Sequence, residues 1–330
     1  MEVKEKVLLD IKNLHTWYRV YGGNLKVLNG INLMVREGES ISLVGEAGCG
    51  KTTTMKSILR ILPPGDFLIP KGEISYKGKD ILKMNPSEIQ RLRSQEIAMI
   101  FQDPTAALNP VFTLGDQIGD VIKYSIASDG RKGRKEEIRA LSVKAFKEVS
   151  LPDPERMLEN YPFQLSGGMR QRACIALAIS SSRNLLLADE PGTSLDVTIQ
   201  DQILRLLKDI VEKKGTSIIL ITHALGVARE MTERIYVMYA GTIVETALTK
   251  DLFKNPTHPY TKGLLASVPR LSGGGIAKGI PGRIPDYLNP PQGCRFQPRC
   301  EHATPSCAES SPQLCEVEKD HFVACYLAQR

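Results

Sequence analysis

The sequence predicts an α/β fold. A mostly parallel sheet is covered by helices, with an antiparallel β subdomain before it, a helical insertion within it and a loop-rich extension after it. Three observations predict this. Short apolar runs at 41–44, 97–101, 185–188 and 217–221 alternate with segments of helical period. A glycine-rich stretch at 45–52 joins the first run to a helix. The run Leu185-Leu186-Leu187-Ala188 delivers an acidic pair, Asp189-Glu190, at its C-terminal end.

Taken in order, Leu8-Leu9-Asp10-Ile11 and Thr16-Trp17-Tyr18-Arg19-Val20-Tyr21 read as two strands, with a turn at Gly22-Gly23-Asn24. Trp17, Tyr18 and Tyr21 can pack in a core or stack on a purine ring. Gly45-Glu46-Ala47-Gly48-Cys49-Gly50-Lys51-Thr52 fits G-x-x-x-x-G-K-(S/T), the phosphate-binding loop. Glycine lets the backbone turn tightly and aim N–H groups at phosphate oxygens, and the following helix adds its positive end. Lys51 supplies a mobile cation and Thr52 a hydroxyl for Mg²⁺. The helix runs from Lys51 to Leu62, with Met55, Ile58, Leu59 and Leu62 on one face and Pro63-Pro64 as its stop.

Turns and short strands surround Gly72 to Gly78, and Asn85 opens a helix reaching about Gln95. Gln102-Asp103-Pro104 ends the second apolar run. Helical period dominates 105–159, with Ile138, Leu141, Ala145, Phe146 and Val149 on one face. Ser166 reads as the N-cap of a helix over 169–181, and Gly167-Gly168 allows close approach of a ligand. A helix over 197–213 turns Ile199, Ile203, Leu206, Leu207 and Ile210 inward. Ser217 to Ile221 is a buried strand ending at Thr222-His223. Residues 235–238 and 242–245 form a hairpin about Ala240-Gly241. From about Lys254 proline and glycine become frequent, through Pro256, Pro259, Pro269 and Gly273-Gly274-Gly275, as in an appended segment with a poor core of its own.

At 330 residues with a net charge of +6, the chain is larger than one compact unit and only modestly basic. The run Arg131-Lys132-Gly133-Arg134-Lys135 leads straight into Glu136-Glu137, as at a solvated helix start, so no nucleic-acid partner is expected. No apolar run approaches the ~18 residues of a membrane span. The first six residues lack the apolar stretch of a signal peptide, so a cytoplasmic location is expected. Cys49 and Cys174 stand alone, while Cys294, Cys300, Cys307, Cys315 and Cys325 crowd into the last 37 residues. In a reducing compartment such crowding argues for metal over disulfides. No C-x-x-C pair occurs, unlike common zinc ribbons, and soft thiolates select zinc or an iron–sulfur cluster.

With Leu165-Ser166-Gly167-Gly168-Met169 the sequence resembles the nucleotide-binding subunit of an ATP-binding-cassette (ABC) transporter over about residues 8–250. Residues 45–52 resemble its Walker A loop, Gln102 its Q-loop glutamine, 165–169 its signature and 185–189 its Walker B strand. Ser194-Leu195-Asp196 is similar to the D-loop, and Tyr18 falls at the adenine-stacking position, with Trp17 a close rival. The resemblance implies ATP and Mg²⁺ as ligands. Tyr18, Gly45, Gly48, Cys49, Gly50, Lys51, Thr52, Thr53, Gln102 and Asp189 would bind the nucleotide. Ser166, Gly167 and Gly168 would serve nucleotide on a partner. Thr52, Gln102 and Asp189 would hold Mg²⁺, and Glu190, His223, Lys51 and Gln102 would act in catalysis. Cys49 stands where the family often has serine, which suggests a thiol-sensitive site.

Asn255-Pro256-Thr257-His258-Pro259-Tyr260-Thr261 and the cysteine-rich end resemble ATPase subunits of dipeptide and oligopeptide importers, a group that also serves nickel and some sugars. That resemblance implies a [4Fe–4S] cluster on Cys294, Cys300, Cys307 and Cys325, with Cys315 surplus and Zn²⁺ as the alternative. The expected division is a nucleotide-binding domain at 1–255, with its helical subdomain at about 103–164, and an importer-type extension at 256–330. The implied partners are a second, related ATPase chain paired head to tail, two permeases and an extracytoplasmic binding protein. The chain would lie peripherally on the cytoplasmic face of the membrane. A soluble ABC ATPase is the other class, but the paired cassettes or coiled-coil insertion usual there are not visible.

Overall fold

The computed structural model describes residues 6–63, 65–181, 183–268 and 279–329. The chain divides into two compact units, residues 1–83 with 220–330, and residues 84–219. Pro64, Pro269 and Gly273-Gly274-Gly275 of the sequence reading lie outside the described residues, as do the first five residues.

The first unit opens with an antiparallel sheet in which Val7–Val20 lies between Gly23–Arg36 and Phe67–Tyr76, and Lys79–Asp80 forms the far edge. The sequence suggested two strands before Gly22, but there is one long strand. Register shifts fall between Ile11 and Leu14, Leu14 and Thr16, and Thr16 and Tyr18. Each bulge resets the period of two, so one bent strand reads as two straight ones. Leu9, Ile11, Leu14, Leu28, Ile31 and Val35 are buried.

Ser40–Val44 pairs in parallel with Arg234–Tyr239. The hairpin expected about Ala240-Gly241 is present, Arg234–Tyr239 pairing with Thr242–Leu248. Two strands from the C-terminal segment, His321–Val323 and Cys315–Glu318, continue this sheet antiparallel beyond the hairpin. As the sequence suggested, the segment has little core of its own; it packs onto that of the first unit. Tyr260 and Phe296 are buried in one cluster with Val44, Val237, Tyr239 and Val244, and Tyr287 packs on its side. The rings of Tyr260 and Phe296 lie 4.7 and 5.0 Å from that of Tyr239, in tilted and edge-on arrangements.

The second unit pairs Ile97–Ile100 in parallel with Leu185–Asp189. Its helices include Leu114–Ser128, Lys135–Glu148, Gly167–Ile179 and Val197–Lys214. The insertion is helical as expected, and Ala145, Phe146 and Val149 are buried. On the helix after the acidic strand, Ile203, Leu207 and Ile210 are buried while Ile199 and Leu206 are half-buried. Ser217–Thr222 crosses from this unit into the first along the chain. Among the described residues no helix is long and apolar enough to cross a membrane.

Candidate functional site

The phosphate-type loop begins where the strand Ser40–Val44 ends and passes into the helix Lys51–Leu59. Gly45 has φ 154°, and a Cβ there would stand 2.1 Å from the carbonyl oxygen of Met238. The left-handed backbone and the close neighbour both require glycine. The helix stops at Arg60, with φ 52°, three residues earlier than the sequence suggested; Leu62 is buried beyond it.

Lys51 is buried and donates from Nζ to the carbonyl oxygens of Gly45 at 2.8 Å and Glu46 at 3.0 Å. The ammonium is thereby held across the mouth of its own loop. Thr52 lies in the first turn of the helix, and Thr53 Oγ1 lies 3.3 Å from the Tyr18 hydroxyl. Tyr18 therefore touches the loop helix. Trp17 lies beneath the Lys26 ammonium, 5.8 Å from its ring centroid, and Tyr21 is fully exposed at the strand end. His223, also in this unit, is exposed just past the strand Ser217–Thr222.

Cys49 is fully buried, and burial foremost pushes its thiol above its ordinary value. The neutral thiol predominates, which reverses the expectation of a thiol-sensitive site. Its carbonyl accepts from the N–H of Gly241 in the hairpin turn, at 2.8 Å. A Cβ on Gly241 would stand 1.8 Å from the Val27 carbonyl oxygen, so only glycine lets that turn sit there.

The second unit gathers the acidic pair and the glutamine. Asp189 is buried at the end of its strand. Glu190 follows with φ 46°, a left-handed conformation that side chains other than glycine seldom adopt. Gln102 donates from Nε2 to Glu190 Oε2 at 3.3 Å across 88 residues of sequence. The two residues that the sequence placed at the ends of separate strands are thus brought together.

Ser166 caps the helix Gly167–Ile179 as expected, its Oγ accepting from the Met169 N–H at 3.4 Å. The paired glycines have a packing reason besides ligand approach. A Cβ on Gly168 would meet Ile199 Cγ2 at 2.9 Å, and one on Gly167 would meet Leu195 Cδ2 at 3.1 Å. Asp196 caps the helix Val197–Lys214, accepting from the Ile199 N–H at 3.0 Å.

In the C-terminal segment, Cys307 and Cys325 are buried, Cys294 and Cys300 are half-buried and Cys315 is exposed. Burial foremost pushes the Cys294 thiol up to about 11, and the charges of Cys307 and Cys325 add to it. Cys300 is raised by burial and by the same two neighbours. Among the described residues, no group of three or more His, Cys, Asp or Glu side chains is arranged to hold a metal ion.

Sequence reasoning missed three residues around the loop. Tyr260 Oη accepts the Glu46 N–H at 3.0 Å, Tyr287 donates its hydroxyl to the Gly48 carbonyl at 2.8 Å, and Arg299 pairs with the Glu46 carboxylate. Tyr260 and Arg299 lie within the very stretches that carried the importer resemblance. An arginine in a cysteine-rich segment was the available signal, but its target is 253 residues away.

Residues 28–193 match the family described as ABC transporter, and residues 244–307 match the C-terminal region of oligopeptide/dipeptide transporters. The chain is 44% identical to the dipeptide transport ATP-binding protein DppD of Bacillus subtilis, over 98% of this chain and 95% of that one. It is 42% identical to the oligopeptide transport ATP-binding protein OppD of the same organism, over 97% and 88%. A dimeric, post-hydrolysis structure of the ATP-binding cassette MJ0796, bound to ADP and Pi, aligns with a TM-score of 0.65. It is 26% identical and covers 73% of this chain and 99% of that chain.

Proposed function

The chain belongs to the ABC transporter family, in its dipeptide and oligopeptide branch, and from that premise we propose that it is the ATP-hydrolysing subunit of a peptide importer. The observation that carries this reading is the extent of the similarity to proteins named for peptide transport: it runs through the cassette and on into this chain's cysteine-bearing segment.

In this reading Lys51 and the loop N–H groups bind the β- and γ-phosphates, with Gly45, Gly48, Cys49, Gly50 and Thr53 forming the cradle. Tyr18 stacks on the adenine. Oxygen donors from Thr52, Gln102 and Asp189 suit Mg²⁺, which supplies charge neutralisation on the phosphates. Glu190 accepts a proton from water as its oxygen bonds to the γ-phosphorus. The bond from that phosphorus to the β–γ bridging oxygen breaks, and ADP leaves. The 3.3 Å contact from Gln102 supports a carboxylate held in one orientation, and His223 helps fix the γ-phosphate. Ser166, Gly167 and Gly168 face the nucleotide of a second, related ATPase chain, paired head to tail. Closure of that pair drives two permeases fed by an extracytoplasmic binding protein, from the cytoplasmic face of the membrane. Residues 1–255 form the nucleotide-binding domain, with 103–164 addressing the permeases, and 256–330 form the extension.

The same reading assigns a [4Fe–4S] cluster to Cys294, Cys300, Cys307 and Cys325. The residues fit. Cys307 and Cys325 both act on the thiols of Cys294 and Cys300, while the fifth, Cys315, is exposed and acts on neither. A cluster spreads its thiolates over several irons, whereas a single zinc ion needs all four about 2.3 Å from one centre. The backbone ties two of them together, the Cys294 N–H donating to the Cys307 carbonyl at 2.7 Å.

The test is peptide uptake by a strain lacking the chain's gene, restored with wild type, Glu190→Gln or Lys51→Ala. Wild type should restore uptake. Both variants should fail, Glu190→Gln while still binding ATP and Lys51→Ala by losing nucleotide affinity. Peptide uptake at the wild-type rate with Glu190→Gln would remove that residue from the catalytic role.

A further inference from the structure

Three contacts tie the C-terminal segment to the phosphate loop, and all three lie within the first unit. The Arg299 guanidinium forks onto Glu46, with Nη1 2.7 Å from Oε2 and Nη2 3.1 Å from Oε1. Its remaining donors are also engaged: Nε donates to the Pro281 carbonyl at 2.8 Å and Nη2 to that of Ile280 at 3.0 Å. The Arg299 side chain is 5% exposed, and its guanidinium lies 5.6 Å from the centroid of the Tyr239 ring. A fork this enclosed is a directed contact rather than a passing surface ion pair. Tyr287 reaches the loop at Gly48, and its own carbonyl accepts the Lys26 N–H at 2.8 Å. Tyr260 takes the Glu46 N–H, so that amide is already committed.

Glu46 poses an electrostatic problem. A carboxylate at the second position of a loop that takes a triphosphate sets like charges side by side, and that repulsion weakens anion binding. Arg299 answers it directly. We propose that the C-terminal segment is a positioning element for the phosphate loop, in which Arg299 neutralises Glu46 and, with Tyr287, holds the loop in its phosphate-accepting shape. Arg299 ends the short turn Gln297–Arg299, between Cys294 and Cys300, so nucleotide affinity depends on the order of the cysteine-bearing segment. This inference rests on the assignment of residues 45–52 as the phosphate site.

The test measures the dissociation constant of fluorescent MANT-ATP with Mg²⁺ on the purified full chain. Arg299→Ala should weaken binding about tenfold, because it bares the carboxylate. Adding Glu46→Gln to Arg299→Ala should restore most of the loss, because it removes the bared charge. A purely structural arginine would not be rescued by removing its partner's charge. Unchanged binding by Arg299→Ala, or a double variant as weak as the single one, overturns the proposal. Should Arg299→Ala fail to fold, Arg299→Gln takes its place. It keeps a polar side chain without the charge, and a loss of about tenfold that Glu46→Gln largely restores supports the proposal. No loss, or no restoration, overturns it. Lys51→Ala separates the two readings. If it binds MANT-ATP as the parent does, the phosphate-loop assignment itself fails. If it loses binding while the Arg299 variants do not, only the positioning role fails.

Discussion

Cys49 illustrates how far a motif reaches. Its place in a phosphate-type loop follows from eight consecutive residues, and so do the roles proposed for Lys51 and Thr52. Its reactivity does not. The sequence suggests a thiol open to modification, whereas the residue is fully buried beside Gly45, with the hairpin turn at Gly241 fastened to its carbonyl. That cover comes from nearly 200 residues downstream, beyond the reach of local pattern. N-ethylmaleimide should therefore leave Cys49 unmodified in the native chain while labelling the exposed Cys315, as peptide mass analysis would report. Cys49→Ser should lower the ATPase rate less than about threefold, since the side chain acts through packing. Labelling of Cys49 as fast as Cys315 would show that the loop opens more than its burial implies. Glu190 makes the opposite point. The sequence marks its identity and its place after an apolar strand, but its left-handed φ of 46° and its contact with Gln102 emerge only in three dimensions.

At the scale of elements, regular period was readable and irregularity was not. The hairpin, the phosphate-loop helix and the helices of 105–159 follow from spacing, but the bulged strand Val7–Val20 does not. The stretch 255–261 likewise offered no period, and the structure gives its physical reason. Glu245, on the strand Thr242–Leu248, is wholly buried. It accepts the N–H groups of Thr257 at 2.8 Å and His258 at 2.9 Å, and contacts His321 Nε2 at 2.7 Å. His258 then caps the helix Pro259–Ala266, its Nδ1 accepting the Tyr260 N–H at 3.0 Å. That acceptor role needs a neutral ring, and burial holds His258 down at about 3, below its ordinary 6.5. The sign follows from linkage: the unfolded chain binds a proton that the folded chain refuses. The contribution is complete above pH 6.5 and is lost as pH falls toward 3, at about 1.4 kcal/mol per pH unit. His258→Asn keeps a capping acceptor without the titration. Urea unfolding at pH 6.5 and pH 5 should show the parent losing about 2 kcal/mol more than this variant. Equal losses would mean that His258 accepts its proton without unfolding.

For the whole molecule, the cysteine-bearing segment is where local pattern said least about packing. Its apolar residues are scattered among prolines and polar residues, so no local run announces a core. Phe296 and Val323 are nevertheless buried, and Tyr260, Tyr287 and Arg299 fasten the segment to the phosphate loop. A segment that carries such contacts must be ordered, yet beyond residue 279 its regular structure is limited to short turns, one short helix and two short strands. Small scaffolds with little regular structure are commonly ordered by a cross-link, and the thiols supply the means. Buried thiols with raised values, such as Cys294, stay protonated at neutral pH. Under the proposed cluster a metal would displace their protons, which would link metal binding to ordering of the segment. Anaerobically purified chain should accordingly be brown, with broad absorbance near ~400 nm and about four irons per chain. Cys300→Ser should lose the iron and, because the segment loosens, also lower the melting temperature. Cys315→Ser should keep both, since that thiol is exposed. Colourless protein carrying one equivalent of zinc would sink the cluster and install the single-ion site. Iron retained by Cys300→Ser but lost by Cys315→Ser would overturn the ligand assignment while leaving the cluster in place.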